Sequence, residues 1–223
     1  MIKAVDIVKA SLRAGWAALC PKQDSDGHDA DAQTLVPIRS LGPHQCHRIG
    51  AHLLSLNAAD RYLRFGYAVQ DAQILHYVDG LNFERDEVLG IFDRKLTLLA
   101  VAHLAYGQTY RSRGCAEFGV SVISRARGRG YGAGLFDCAA MHAVNQGVDT
   151  LLIHALTENI AMLNIARAAG ARVVRDGAES EAYLELPQAT LNSRIAEIVQ
   201  ANVADMDYRL KRQAKLLRDS LTT

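Results

Sequence analysis

Apolar residues change their spacing along the chain in an order that predicts the fold. Over residues 2 to 19, Ile2, Val5, Val8, Leu12, Trp16 and Leu19 return every three or four positions. Asp6, Lys9 and Arg13 stand within that pattern, so it predicts an amphipathic helix and not a secretion signal. Pro21 to Gln33 is polar, acidic and without period, and reads as a linker or loop. Thr34 to Ser40 reads as a first strand. Pro37, which brings no N–H to a ladder, places it at an edge or a strand start. Pro43 to Leu56 and Ala72 to Leu81 read as helices, with a further segment, Ala58 to Tyr67, between them.

Strands follow. Asp86 to Gly107 predicts a hairpin turning near Asp93 and Arg94, and Gly114 to Ser124 a further strand. A glycine-rich loop then enters a helix from Tyr131 to Asn145, closed by Gly147. Asp149 to Leu156 is a continuous apolar run, the pattern of a strand buried on both faces. Glu158 to Gly170 is a helix, and Ala171 to Asp176 with Glu181 to Pro187 a last strand pair. Strand, loop, helix, strand over residues 114 to 156 make a βαβ unit, whose strands run parallel. The expected fold is α/β: a mixed, mostly antiparallel central sheet with helices on both faces, plus N- and C-terminal helical extensions. Three regions result: an N-terminal helix and linker (1–33), a central domain (34–187) and a long C-terminal amphipathic helix (188–223). In the last, Leu191, Ile195, Ile198, Met206, Leu210, Leu217 and Leu221 form nearly a heptad seam. It fits packing along its own domain, or contact with a second copy in a homodimer.

Composition narrows the function classes. Of the 223 residues 49% are hydrophobic, and 25 basic residues nearly cancel 24 acidic ones. A net charge of +1 argues against nucleic acid or an anionic membrane as partner. No apolar run reaches the roughly 18 residues of a membrane span. Cys20, Cys46, Cys115 and Cys138 stand apart with no CxxC pair, the usage of reduced thiols in a cytoplasmic protein. His44, Cys46 and His47 lack a second pair at zinc spacing, so no metal is expected.

The candidate chemistry lies in the loop. Glycines 128, 130, 132 and 134 fall at every second position, flanked by Arg125, Arg127 and Arg129, where a helix begins. Unpaired N–H groups at a helix start attract anions, glycine permits close approach, and arginine suits phosphate. A nucleotide P-loop is excluded, because no Gly-Lys-Ser/Thr follows. A dinucleotide fingerprint, Gly128-x-Gly130-x-x-Ala133, lacks the acidic residue at the end of the next strand. Read as Arg127-x-x-Gly130-x-Gly132, the loop resembles the pyrophosphate motif, Gln/Arg-x-x-Gly-x-Gly/Ala, of the GNAT superfamily of acyl-CoA-dependent N-acyltransferases. Ala116 to Val122 is similar to the strand before that motif. Asn159 to Ala171 is similar to its second signature, with Asn159, Met162, Ile165 and Gly170 in register. Pro37 to Phe65, with its Arg-Tyr-Leu-Arg-Phe run, is similar to the first strand and helix of bacterial members.

The resemblance implies acetyl-CoA as donor and an amine, small molecule or protein, as acceptor. By resemblance, backbone groups of Val120, Ser121 and Val122 pair with the pantetheine arm. The loop residues Arg127, Gly128, Arg129, Gly130, Tyr131, Gly132 and Ala133 hold the pyrophosphate, Asn159 contacts the donor, and the Val122 N–H receives the oxyanion. Two bases are candidates, Glu117 and His154. Glu117 and Val122 have opposite alternation, so both face the cleft only through a bulge; a regular ladder counts against Glu117. The family's tyrosine is Ala166 here, and its following phenylalanine Ala171. Water, or a hydroxyl such as Ser124 or Tyr131, then protonates the thiolate, or the domain binds acyl-CoA and catalyses weakly. Arg61 and Arg64 suit an acidic acceptor, although at least one is expected to be a structural ion-pair partner.

Overall fold

The computed structural model describes residues 36–107 and 114–221. The expected N-terminal helix and linker, residues 1 to 33, lie outside the described residues.

Among the described residues seven strands form one sheet in the order β1-β2-β3-β4-β5-β7-β6. They are β1 (Arg39–Ser40), β2 (Glu87–Phe92), β3 (Leu98–Tyr106), β4 (Cys115–Val122), β5 (Thr150–Leu156), β6 (Arg172–Asp176) and β7 (Glu179–Glu185). All neighbours are antiparallel except β4 and β5. The first strand pairs only at Arg39 and Ser40 and lies at the sheet edge, as Pro37 requires. In the β2–β3 turn the Asp93 side chain accepts from the amides of Lys95 and Thr97 (2.8 Å each), fixing the reversal where it was expected.

Among the described residues six α-helices flank the sheet: α1 (Cys46–Leu54), α2 (Ala58–Phe65), α3 (Asp71–Asp79), α4 (Tyr131–Asn145), α5 (Ile160–Ala168) and α6 (Leu191–Leu221). Pro43 to Gln45 forms a 3₁₀ turn ahead of α1. Two apolar cores result, one on each face. Ile49, Leu53, Ile74 and Val78 of α1 and α3 pack on Val88, Leu98 and Val101. On the other face Leu135, Phe136 and Ala139 of α4, with Met162 and Ala166 of α5, meet Phe118, Leu151 and Ile153. Phe118 and Phe136 touch edge to face, with centroids 5.1 Å apart.

Two expectations are corrected. Strand β5 is not buried on both faces: Leu151 and Ile153 are buried, whereas His154 between β5's apolar neighbours is exposed. The α1–α3 cover makes its contact with β5 through α2, which leaves the outer face of β5, β7 and β6 open. Helix α6 does pack on its own domain, but not through the predicted seam. Ser193, Ala196 and Ala204 are buried, and Tyr208 meets Phe92 at 5.3 Å. Leu191, Ile195, Ile198, Met206, Leu210 and Leu217 stay 56–80% exposed. Small residues let the helix approach closely, and polar bonds fix it: Arg39 to Asp205 at 3.3 Å and Lys211 to the Phe92 carbonyl at 2.9 Å. Among the described residues no helix is long and apolar enough to cross a membrane.

Candidate functional site

Strands β4 and β5 share three rungs, Cys115–Thr150, Ala116–Leu151 and Glu117–Leu152, and then part. Beyond Glu117, β4 pairs with β3 alone, and β5 with β7 alone. The wedge between them is a cavity of about 640 Å³. It is lined by every residue predicted to hold the donor or act as base except Arg129, which is exposed in the loop beside it, whereas Ser124 and Arg61 lie outside its lining.

Backbone direction decides what β4 offers. The Ile123 N–H bonds the Leu99 carbonyl on β3 at 3.0 Å. Polar groups alternate along a strand, so those of Ser121 also face β3, and those of Val120 and Val122 face the wedge. Ser121 has no side-chain group to spare either: its Oγ is 2.9 Å from His52 Nε2. His52 Nδ1 lies 3.0 Å from the Leu98 carbonyl and must donate to it. Burial, and then Arg64, lower the His52 pKa, so the neutral ring accepts the Ser121 proton at Nε2.

The loop supplies an anion cradle. Gly128 and Gly130 take φ of +72° and +75°, the left-handed region that favours glycine. The first bond of α4 runs from Gly134 N to the Gly130 carbonyl at 2.9 Å. The amides of residues 130–133 therefore precede the helical ladder, at the positive end of the helix dipole. Arg127 braces this loop instead of lending it charge. Its guanidinium is 2.5 Å from Asp60 on α2, and its Nε donates to the Val122 carbonyl at 3.3 Å. Ser124 Oγ also donates to Asp60, at 3.3 Å.

Glu117 and His154 project on one face of the sheet. The β3–β4 register runs from Ala100–Val122 to Tyr106–Ala116 without a bulge, so Glu117 and Val122 side chains point to opposite faces. The expected bulge is absent, which counts against Glu117. Both residues still line the cavity, because the wedge opens the strand edge to both faces. His154 Nδ1 is 3.7 Å from Glu181 across the β5–β7 ladder. Asn159 caps α5, accepting from the Met162 amide at 3.2 Å, and its Nδ2 donates to the Leu63 carbonyl at 3.4 Å. Ala166 is fully buried, and Tyr131 is the phenol beside the loop in the cavity.

Asp60 and the support of Arg64 escape sequence reasoning. Asp60 lies in a segment, Ala58 to Tyr67, whose pattern assigns it no role. Arg64 lies over Gly119 and donates to the Tyr77 hydroxyl at 3.0 Å. Tyr77, His103 and Asp86 come from three distant elements, with no spacing that links them.

No protein-family model and no curated protein sequence matches the chain. Solved structures match its architecture. The GNAT domain of PAT from S. lividans superposes with a TM-score of 0.59 at 18% identity, covering 72% of this chain and all of that one. A GNAT-family acetyltransferase from Streptococcus pneumoniae gives 0.54 at 15% identity, covering 67% and 97%. A GNAT-superfamily phosphinothricin acetyltransferase from Sinorhizobium meliloti, in complex with AcCoA, gives 0.57 at 13% identity, covering 70% and 91%. The chain has the GNAT fold.

Proposed function

We propose that this protein transfers an acyl group, acetyl first among them, from coenzyme A to the nitrogen of an amine. The observation that carries the reading is the wedge between β4 and β5, which ends at the uncovered amides of α4. A diphosphate suits those amides and the helix dipole behind them. The wedge-facing groups of Val120 and Val122 suit the pantetheine arm as an added strand.

The chain's own groups then divide the work. Glu117 or His154, directly or through water, takes a proton from the acceptor ammonium. The amine nitrogen attacks the thioester carbonyl, and the Val122 N–H donates to the oxyanion. A C–N bond forms and the C–S bond breaks. The departing thiolate takes a proton from the Tyr131 hydroxyl or water, the nitrogen gives its second proton back to that group, and the products are a neutral amide and free coenzyme A. Ser124 is less suited to that last role, because its hydroxyl is engaged with Asp60.

Ala166 supports a second reading: an acyl-CoA-binding module with weak catalysis. It fills the resembling family's tyrosine position with a buried methyl group. Calorimetric titration with acetyl-CoA and a thiol-release assay across an amine panel separate the two. Acceptor-dependent release of coenzyme A supports the enzyme; saturable binding without it supports the module.

A further inference from the structure

Two arginines of α2 stand three residues apart and have opposite surroundings. Arg61 is spent on structure: it pairs with Asp71 at 2.6 Å and donates to the Leu54 and Leu56 carbonyls at 2.7 and 3.0 Å. Arg64 has no ion pair among the described residues, and its Nε is buried with no acceptor. Of its five N–H groups, one has a described acceptor, the Tyr77 hydroxyl. Arg64 is half-buried, and a guanidinium whose buried Nε goes unmatched is stabilised by an anion that completes it.

Its position is fixed with some care. The guanidinium carbon lies 2.9 Å from where a Cβ on residue 119 would stand, so only glycine there lets Arg64 lie on β4. The Phe65 and Tyr77 rings flank it, with centroids 5.1 and 5.5 Å away. Tyr77 is itself held. Its hydroxyl is 2.8 Å from His103 Nδ1, and His103 Nε2 is 3.3 Å from Asp86. Burial, and then the charge of Arg64, keep the His103 ring neutral. Its one proton goes to Asp86, so Tyr77 donates to His103 and turns its lone pairs to Arg64. Arg85 grips the Asp86 carboxylate through two bonds of 2.6 and 2.5 Å. The chain of donors thus ends on a satisfied acid at one end and on an unneutralised fork at the other.

The fork opens on the cavity, on the sheet face that carries Glu117 and His154. Side chains two residues apart on one strand face stand about 7 Å apart. Gly119, beneath Arg64, and Glu117 have that spacing, enough for one small molecule to span. The α4 amides lie toward the opposite sheet face, so this second anion is not the donor's diphosphate. We propose that the acceptor is an amino acid with a free carboxylate, held by Arg64 while its amine faces Glu117 and His154. This rests on the N-acyltransferase reading above. Tyr77 is a positioning residue for the same contact.

The test uses the full chain, acetyl-CoA, and L-amino acids paired with their C-terminal amides. A charge-assisted bidentate contact predicts that acids exceed amides in kcat/KM by about ten- to a hundredfold, relative to the same ratio in Arg64→Gln. Arg64→Lys retains part of the preference, and Tyr77→Phe raises KM for acids with kcat unchanged. Unchanged acetyl-CoA affinity by calorimetry shows that the variants fold. Equal acid-to-amide ratios in the wild type and Arg64→Gln overturn the proposal. If acetyl-CoA binds and no amine releases coenzyme A, the enzyme reading fails separately. The carboxylate subsite is then judged by titrating the CoA-loaded protein with N-acetyl-L-amino acids and their amides. A preference for the acids that Arg64→Gln removes sustains it, and no such preference ends it.

Discussion

Gly130 starts α4 at φ +75° with no atom within 4 Å of a would-be Cβ. A side chain there finds space but no relaxed backbone, at a strain of about 1–3 kcal/mol. The loop can escape that strain only by turning its amides, so Gly130→Val is expected to abolish acetyl-CoA binding in calorimetry. Glu117→Gln and His154→Ala sit at the other end of the cavity. Each is expected to lower turnover in the thiol-release assay and to leave donor binding intact. Full turnover in both variants would remove the two base assignments together. These residues were readable from sequence because the glycine loop and the Asn159 signature carry fixed spacing. Asp60 and Tyr77 were not, because their roles depend on partners that the fold alone brings near.

At the scale of elements, Asp60 of α2 holds the loop through Ser124 and, more closely, through Arg127, whose guanidinium is half exposed while the aspartate is buried. Asp60→Asn is expected to weaken acetyl-CoA binding severalfold by freeing the loop. Since solvent screens the exposed arginine, the denaturation midpoint should reflect a loss of no more than about 1 kcal/mol. The succession of strands along the chain and the β4–α4–β5 unit were legible in the alternation of spacings, and so were the hairpin turn and nearly every helix, whereas the order of strands within the sheet was not. The one-sided burial of β5 was not. Thr150 to Leu156 is apolar enough for two covered faces, and the extent of α1–α3 decides that only one is covered. The seam of α6 misled for a related reason. Periodicity marks an apolar stripe, but Ala196 and Ala204 on the neighbouring stripe allow the closer approach.

For the molecule as a whole, α6 is fastened through a titratable clamp. Glu197 hydrogen-bonds His142 of α4, and Asn145 donates to it at 2.6 Å. Burial opposes the His142 charge, but the Glu197 bond and the nearby Glu87 carboxylate outweigh it and raise its pKa above 6.5. Burial likewise opposes the Glu197 charge, and the His142 and Asn145 bonds bring its pKa below 4.5. The raised histidine contributes fully below 6.5 and loses its share as pH rises through the folded value. The lowered glutamate contributes above 4.5 and loses its share as pH falls through the folded value. The clamp is therefore strongest between pH 4.5 and 6.5. Urea denaturation is expected to show a stability term, present at pH 5.5 and lost toward alkaline pH, that Glu197→Gln flattens.

The parting of β4 and β5 also has a colloidal consequence. It leaves two main-chain borders bare in the middle of a sheet, where most proteins expose such borders only at the rim. A bare border is a template for a foreign strand. Ligand-free protein should therefore self-associate on warming more readily than its melting temperature alone implies, and the donor, lying in the gap, should act as a plug against clumping.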